Sequence, residues 1–465
     1  MKTIIVWFRN DLRIHDHPAL AAAIAEAEYV VPLFILDSAL LRSDHASANR
    51  NRFLLESLTD LRKSLKSLGA DLVVRDGRPL ETLQSLSQEL QADAVWYTAD
   101  YTPYALKRDA ELKKAFLDTN TAFRGFPGRL AVSSLDKIRT KSDTVFKVFT
   151  PFWKRWSTVE RRVVAELPTT FSLPPNITVG NLPALGAVTS PVDLSPRVIP
   201  GGETEARKRL ETWLDNGLES YEELHNDLAA DATSRLSPYL HFGCLSVREI
   251  ETMLPESPGA RAWHRQLAWR EFYHYIVYNF PDNTKHEFQE RYRSFPWSYD
   301  EKLLSHWQKG LTGYPVVDAA MRQLNQEGWM HNRARLIVGS FLTKDLNLDW
   351  RLGEAYFMKM LIDGDVANNN GNWQWIASVG VDPAPVFRRL YNPTSQQANF
   401  DPTNAYVRKY VPELASVPDE FIKEPWKMTA EQQAAAACGI GTDYPAPIVD
   451  HASARTAALE RYRLA

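Results

Sequence analysis

Four short apolar runs dominate the first hundred residues: "TIIVWF" (3–8), "YVVPLFIL" (29–36), "ADLVVRD" (70–76) and "ADAVWYT" (92–98). Each is apolar along its length rather than alternating, the pattern of a strand covered on both faces. Between the second and third lies "NRFLLESLTDLRKSLKSLG" (51–69), with apolar positions three and four apart and a stop at Gly69. Strand, helix and strand at this spacing form a crossover unit, and crossover units build a parallel sheet. An α/β domain with a Rossmann-like parallel sheet is therefore expected over residues 1–130.

At 465 residues the chain exceeds one ordinary core. Pro and Gly crowd "LPTTFSLPPNITVGNLPALG" and "SPRVIPGGE", which places a long linker within 131–205. Four stretches then carry helical periodicity: "TEARKRLETWLDNGLESYEEL", "RAWHRQLAWREFYHYIVYNF", "YPVVDAAMRQLNQEGWMHNRARLIVGSFLTK" and "RLGEAYFMKMLI". An all-α domain is expected over 206–465. No apolar run has the length of a membrane span, and charge arrives too early in "MKTIIVWFRNDLRIHD" for a secretory leader. A cytoplasmic protein is expected. Cys244 and Cys438 have no spacing suited to a metal site or a disulfide framework. The formal charge of −3 argues against a uniformly basic coat for nucleic acid but leaves room for a local basic groove.

Four stretches carry chemistry. "DGDVANNNGNWQW" (363–375) joins two acids, four asparagines and two tryptophans, a mixture that neither a helix interior nor a strand favours. It is expected to serve a site rather than a regular element. Eight of the 14 tryptophans fall between Trp263 and Trp375, so stacking on flat rings competes with a large aromatic core as their purpose. In "TSRLSPYLHFG" (233–243), Thr233, Ser234 and Ser237 flank Arg235 while Pro238 can open a helix. This is either an anion cradle or an ordinary capped helix start. In "RQLAWREFYHYIVYNF", Gln266, Trp269, Arg270 and Tyr273 recur at helix spacing. One face then presents amide, indole and guanidinium, which suits a nucleobase, although an amphipathic core helix would read the same way. "MHNRARL" adds Asn332, Arg333 and Arg335. No G-x-G-x-x-G follows the first strand, and no G-x-x-x-x-G-K-[ST] occurs, so a dinucleotide would bind elsewhere.

With "VWFRNDLRIHDHPAL", "WREFY", "GYPVVDAAMRQL", "GWMHNRARL" and "YPAPIVDH", these stretches in this order resemble the DNA photolyase/cryptochrome family over nearly the full length. The resemblance is greatest to prokaryotic class I cyclobutane pyrimidine dimer photolyases. It implies an all-α FAD-binding domain, with FAD active as FADH−. Tyr221, Thr233, Ser234, Arg235, Leu236, Ser237, Asp363, Gly364 and Asp365 match positions that hold FAD, and Asn369 matches the residue facing its N5 edge. Trp297, Trp350 and Trp373 match a chain that carries an electron inward from the surface. Gln266, Trp269, Arg270, Tyr273, Asn332, Arg333, Leu336 and Trp375 match the pocket for a dimer flipped out of UV-damaged DNA. The implied reaction is light-driven: one electron passes to the dimer, its two cyclobutane bonds cleave, and the electron returns. Arg270, Arg333, Arg335, Arg388, Arg389 and Lys344 are the candidate phosphate contacts. A monomer without an obligate protein partner is expected.

The chain departs from that pattern in places. Gln266 stands where dimer photolyases carry Glu, as it does in (6-4) photolyases. Those enzymes also place two histidines where this chain has Asn332 and Leu336, and His331 is one residue out of register. A cryptochrome-like blue-light sensor is the other alternative; Asn369, an amide where many cryptochromes carry Asp or Cys, favours an enzyme. Tyr104 and Ala105 replace the Asn-Glu pair of folate-binding relatives. A second, antenna chromophore is therefore expected to be a deazaflavin or flavin sooner than methenyltetrahydrofolate, with an empty pocket still open.

Overall fold

The computed structural model describes residues 2–41, 46–190 and 193–465. Its first part is a five-stranded sheet of β1 (Thr3–Phe8), β2 (Tyr29–Leu36), β3 (Val73–Asp76), β4 (Ala94–Thr98) and β5 (Ala122–Phe126). The order is β3-β2-β1-β4-β5 with every pair parallel. Helices Pro18–Glu26, Ala48–Ser67, Pro79–Leu90 and Pro103–Phe116 make the crossovers. Ile5 lies in register with Val31 on one side and Val95 on the other, and all six β1 residues are buried, which explains its unbroken apolar run. β5 is the strand that the apolar runs do not announce. Its sequence "AFRGF" is largely exposed, as an edge strand permits.

The strand order reverses beside β1, and the loop leaving β1 docks on the helical part. Leu12 N–H donates to the Phe242 carbonyl at 3.2 Å, and buried Arg13 donates to the carbonyls of Gly128 and Gly243 at 3.0 Å each. Gly243 has φ +67°, and a Cβ there would come within 2.1 Å of the Asn10 carbonyl oxygen. The end of "LHFG" thus meets the sheet where only glycine fits.

Helices at Glu203–Asn216, Tyr221–Leu224, Ser237–Phe242, Pro258–Asn279, Pro315–Glu327, Asn332–Ser340, Trp350–Met360, Val366–Ala377 and His451–Leu464 frame the second part. Within 131–205, helix Phe149–Trp156 packs against the long helix Pro258–Asn279. The periodic stretch from 314 to 344 is not one helix: it breaks at Gly328 (φ +61°) and resumes at Asn332. Trp269 packs against a core shared with the sheet, whereas Trp375 and Leu336 pack against a second core around Trp307, Trp350 and Trp373.

The run 363–375 corrects the expectation drawn from its composition, because Val366–Ala377 is an α-helix. Asp365 caps it, its side chain accepting from Asn368 N–H at 2.9 Å. Asn370 Nδ2 donates to Glu354 Oε1 at 3.1 Å, and Asn369 Nδ2 to the Glu354 carbonyl at 2.9 Å. A Cβ on Gly371 would lie 2.0 Å from the Tyr273 ring. Tertiary contacts overrule a poor local preference for helix at these residues.

Candidate functional site

A cavity of about 470 Å³ opens where the two cores meet. Its wall contains Tyr221, Thr233, Ser234, Arg235, Leu236, Ser237, Gln266, Trp269, Arg270, Tyr273, Asn332, Arg333, Leu336, Asp363, Asp365 and Trp375. Residues expected for cofactor and for substrate therefore share one space, although they come from five separate helices and two loops.

One part of the wall is polar and built from "TSRLSPYLHFG". Ser234 Oγ accepts from Trp263 Nε1 at 3.3 Å, and Ser237 Oγ from Trp329 Nε1 at 3.4 Å. Arg235 takes a left-handed φ of 51°, pairs with Asp231 at 2.7 Å and Glu327 at 3.1 Å, and lies 4.3 Å over the Trp329 ring. Opposite, Asp363 Oδ2 accepts from Arg335 Nη2 at 2.8 Å. Thr233 Oγ1 and Asp363 Oδ1 are buried on this wall without a partner, which a bound polar group would supply.

Asp365 anchors the floor. Its Oδ2 lies 3.2 Å from Arg129 Nη2, 3.4 Å from His274 Nε2 and 3.8 Å from His241 Nδ1. Burial alone would raise its carboxyl, but His274, His241 and Arg129 outweigh burial and hold it well below the usual carboxylate range. Arg270 donates to the carbonyls of Arg129 and Leu240 at 3.4 and 3.3 Å, so its guanidinium braces the same floor.

The aromatic part of the wall has two faces. Trp269 is stacked on Phe149 at 3.6 Å and 7°, and Trp375 carries the Arg389 guanidinium 3.8 Å over its ring. Exposed Gln266 and Asn332 bring amides to this part. Arg333 is held by Asn226 Oδ1 at 2.8 Å and lies 4.2 Å over Phe400. His331 points inward: its Nδ1 caps the helix by accepting from Arg333 N–H at 3.1 Å. Burial, then Arg235, Arg333 and Arg335, push its imidazole down to about 4.

Several expected residues lie off the wall. Gly364 sits against Arg50, where a Cβ would come within 2.5 Å of Nη1. Asn369 is directed at Glu354 while its neighbours Asn368 and Asn372 line the cavity. Two of the candidate phosphate contacts are corrected outright: Lys344 and Arg389 are 0% and 2% exposed. The carbonyls of Trp375, Ile376 and Ala377 accept from Arg389, Lys344 and Tyr462 respectively. All three side chains satisfy the open carbonyls at a buried helix C-terminus, so Lys344 and Arg389 do not face solvent. Arg388 is exposed.

Trp373 is buried edge-on to Phe357 at 5.0 Å and Trp307 at 6.1 Å, and a Cβ on Gly353 would strike its ring at 2.2 Å. Trp350 is fully buried and Trp297 half-buried. Their indole N–H groups converge on one atom, Glu287 Oε1, at 3.2 and 3.4 Å. Glu287 is held in turn by Arg351 at 2.7 Å. The spacing of residues gives no hint of Glu287, which lies 63 positions from Trp350. Leu240, His241, Met330, Asn368 and Asn372 also line the cavity, inside stretches already singled out.

Residues 4–172 match the DNA photolyase family, and residues 263–464 match the FAD binding domain of DNA photolyase. A deoxyribodipyrimidine photo-lyase of Streptomyces griseus is 40% identical, the alignment covering 100% of this chain and 99% of that one. The crystal structure of a bacterial class III photolyase from Agrobacterium tumefaciens superposes with a TM-score of 0.94 at 34% identity, over 100% of this chain and 98% of that one. An archaeal photolyase from Sulfolobus tokodaii, solved with two FAD molecules, superposes with a TM-score of 0.85 at 30% identity, over 100% of both chains. The hydroxyls and guanidinium groups fit the phosphates of a cofactor, the unpartnered Asp363 carboxylate oxygen fits one of its hydroxyl or N–H donors, and the adjoining tryptophans and leucines fit its rings. This chain belongs to the DNA photolyase family, and FAD is its cofactor.

Proposed function

We propose that this protein repairs cyclobutane pyrimidine dimers in UV-damaged DNA with light. The observation that carries this reading is the shared cavity, in which a polar cofactor wall adjoins a wall with two tryptophans and two amides. Bound FAD supplies light absorption and the electron that opens the dimer. The protein supplies the rest. Trp269 and Trp375 stack on the flipped pyrimidines, a contact open to any base face. Gln266 and Asn332 donate amide hydrogens to pyrimidine carbonyls, which Gln does without adding a negative charge beside an electron-rich lesion. Arg333, fixed by Asn226 and Phe400, meets a phosphate, as does exposed Arg388, whereas Arg335 stays paired with Asp363 on the cofactor wall. A lesion filling the cavity excludes water and so strengthens every charge interaction there. Trp297, Trp350 and Trp373 conduct electrons between the surface and the cofactor, with Glu287 steadying the first two indoles.

Lesion choice follows from the same wall. Asn332 and Leu336 line it where a (6-4) enzyme would need two imidazoles, and His331 is committed to capping a helix. The test is illumination of the reduced holoprotein with oligonucleotides carrying one defined cyclobutane or (6-4) lesion, with dark controls and chromatography of the products. Light-dependent recovery of adjacent thymines from the cyclobutane substrate alone is expected. Reversal of the (6-4) lesion alone, or photoreduction without repair of either, would overturn the reading, the latter in favour of light sensing.

A further inference from the structure

The two tryptophans of the aromatic wall come from different helices and rest on different cores, yet one carboxylate joins them. Asp382 Oδ2 accepts from Trp375 Nε1 at 3.3 Å, while its Oδ1 accepts from Phe149 N–H at 3.1 Å. The Phe149 ring is the one stacked on Trp269 at 3.6 Å. Asp382 N–H also donates to the Lys147 carbonyl at 2.9 Å, tying the loop after the helix Val366–Ala377 to the segment before Phe149. Asp382 takes a left-handed φ of 55°, the backbone turn that brings both its oxygens to bear.

Arg389 completes the arrangement. It donates through Nη1 to the Trp375 carbonyl at 2.9 Å and through Nη2 to the Asp382 carbonyl, with its Cζ 3.8 Å from the centroid of the Trp375 ring. The guanidinium therefore grips the backbone and the ring of the same tryptophan and the backbone of the residue bonded to its indole. A planar fork can do this; a lysine ammonium cannot make all the contacts at once. Arg389 Nη2 also lies 3.9 Å from Asp382 Oδ2, so charge attraction reinforces the clamp, while its Nε has no hydrogen-bond partner.

We propose that Asp382 and Arg389 are positioning residues that set the gap between Trp269 and Trp375 before a lesion arrives. Asp382 couples the two walls, and Arg389 clamps Trp375 to Asp382. The inference rests on the reading of that gap as the place where flipped pyrimidines stack. Stacking partners held at a fixed separation bind without first losing side-chain freedom, so the strut acts on lesion affinity.

The FAD-loaded protein, labelled with 5-fluorotryptophan, tests this with Arg389→Met, Arg389→Lys and Asp382→Asn. The Trp375 resonance is assigned by its loss in Trp375→Phe. Without DNA, the ¹⁹F line of Trp375 is expected to broaden or split in Arg389→Met and to sharpen partly again in Arg389→Lys. Affinity for an oligonucleotide with one cyclobutane dimer is expected to fall about tenfold in Arg389→Met and about threefold in Asp382→Asn, with affinity for undamaged DNA unchanged. A Trp375 line and a lesion affinity that both match the wild type in Asp382→Asn and Arg389→Met would overturn the proposal. If Arg389→Met fails to retain FAD, Asp382→Asn decides by the same two readouts. A wild-type protein that binds no lesion defeats the functional reading instead, and the ¹⁹F line still reports on the strut.

Discussion

Trp373 and Trp375 stand two residues apart on one helix and live in opposite surroundings. Trp373 is 3% exposed and wedged among Trp307, Phe357 and Gly353, so its ring belongs to the core. Trp375 faces the cavity, with an indole N–H committed to Asp382 and a cation behind its ring. The same residue type thus packs a core on one side and lines the cavity on the other. What separates them is the partner that each face of the helix meets, and a pair of substitutions should separate them further.

Trp373→Ala is expected to have the largest effect on stability, about 3–5 kcal/mol, since a buried aromatic would be replaced by a cavity. Urea unfolding of the FAD-loaded protein measures it, and a loss below about 1 kcal/mol would erase the distinction. Trp375→Ala should cost less in folding but weaken binding to dimer-containing DNA by about 1–3 kcal/mol, read from titration against undamaged DNA as control. Equal losses for damaged and undamaged DNA would mean that Trp375 does not meet the lesion.

The smallest expected effect lies behind the helix, at Glu354, which receives Asn369 and Asn370. Burial pushes its carboxyl from 4.5 up to about 7. Between those values the folded chain keeps a proton that the unfolded chain has released, so this group makes the fold less stable as pH rises through the window. Glu354→Gln removes that dependence. Relative to wild type, the variant should gain on the order of 1 kcal/mol between about pH 5 and pH 8 in urea unfolding. A pH-independent difference would show that Glu354 does not titrate there.

The unequal legibility of the molecule has the same origin. β1, β2 and β4 are visible as apolar runs because both of their faces are covered, and edge strand β3 shows only through buried Val73 and Val74, while "AFRGF" hides because the other edge strand keeps Arg124 and Gly125. The cavity wall was traceable through short stretches whose members sit close in the chain. Its supports were not: Asp382 meets Phe149 across 233 positions, and Glu287 meets Trp350 across 63. Charge also misled, since Lys344 and Arg389 look like surface cations until the buried carbonyls at a helix end are seen to need them. "VANNNGNWQWIA" misled through propensity, since its asparagines bond to Glu354 and Gly371 makes room for Tyr273.

The most direct test of the central claim is a crystal structure of the FAD-loaded protein bound to a duplex with one cyclobutane dimer, grown in the dark. The account predicts the dimer turned out of the helix, within the cavity, its pyrimidines against Trp269 and Trp375 and its carbonyl edge toward Gln266 and Asn332. A dimer left stacked in the duplex, or bound away from these four residues, would contradict it.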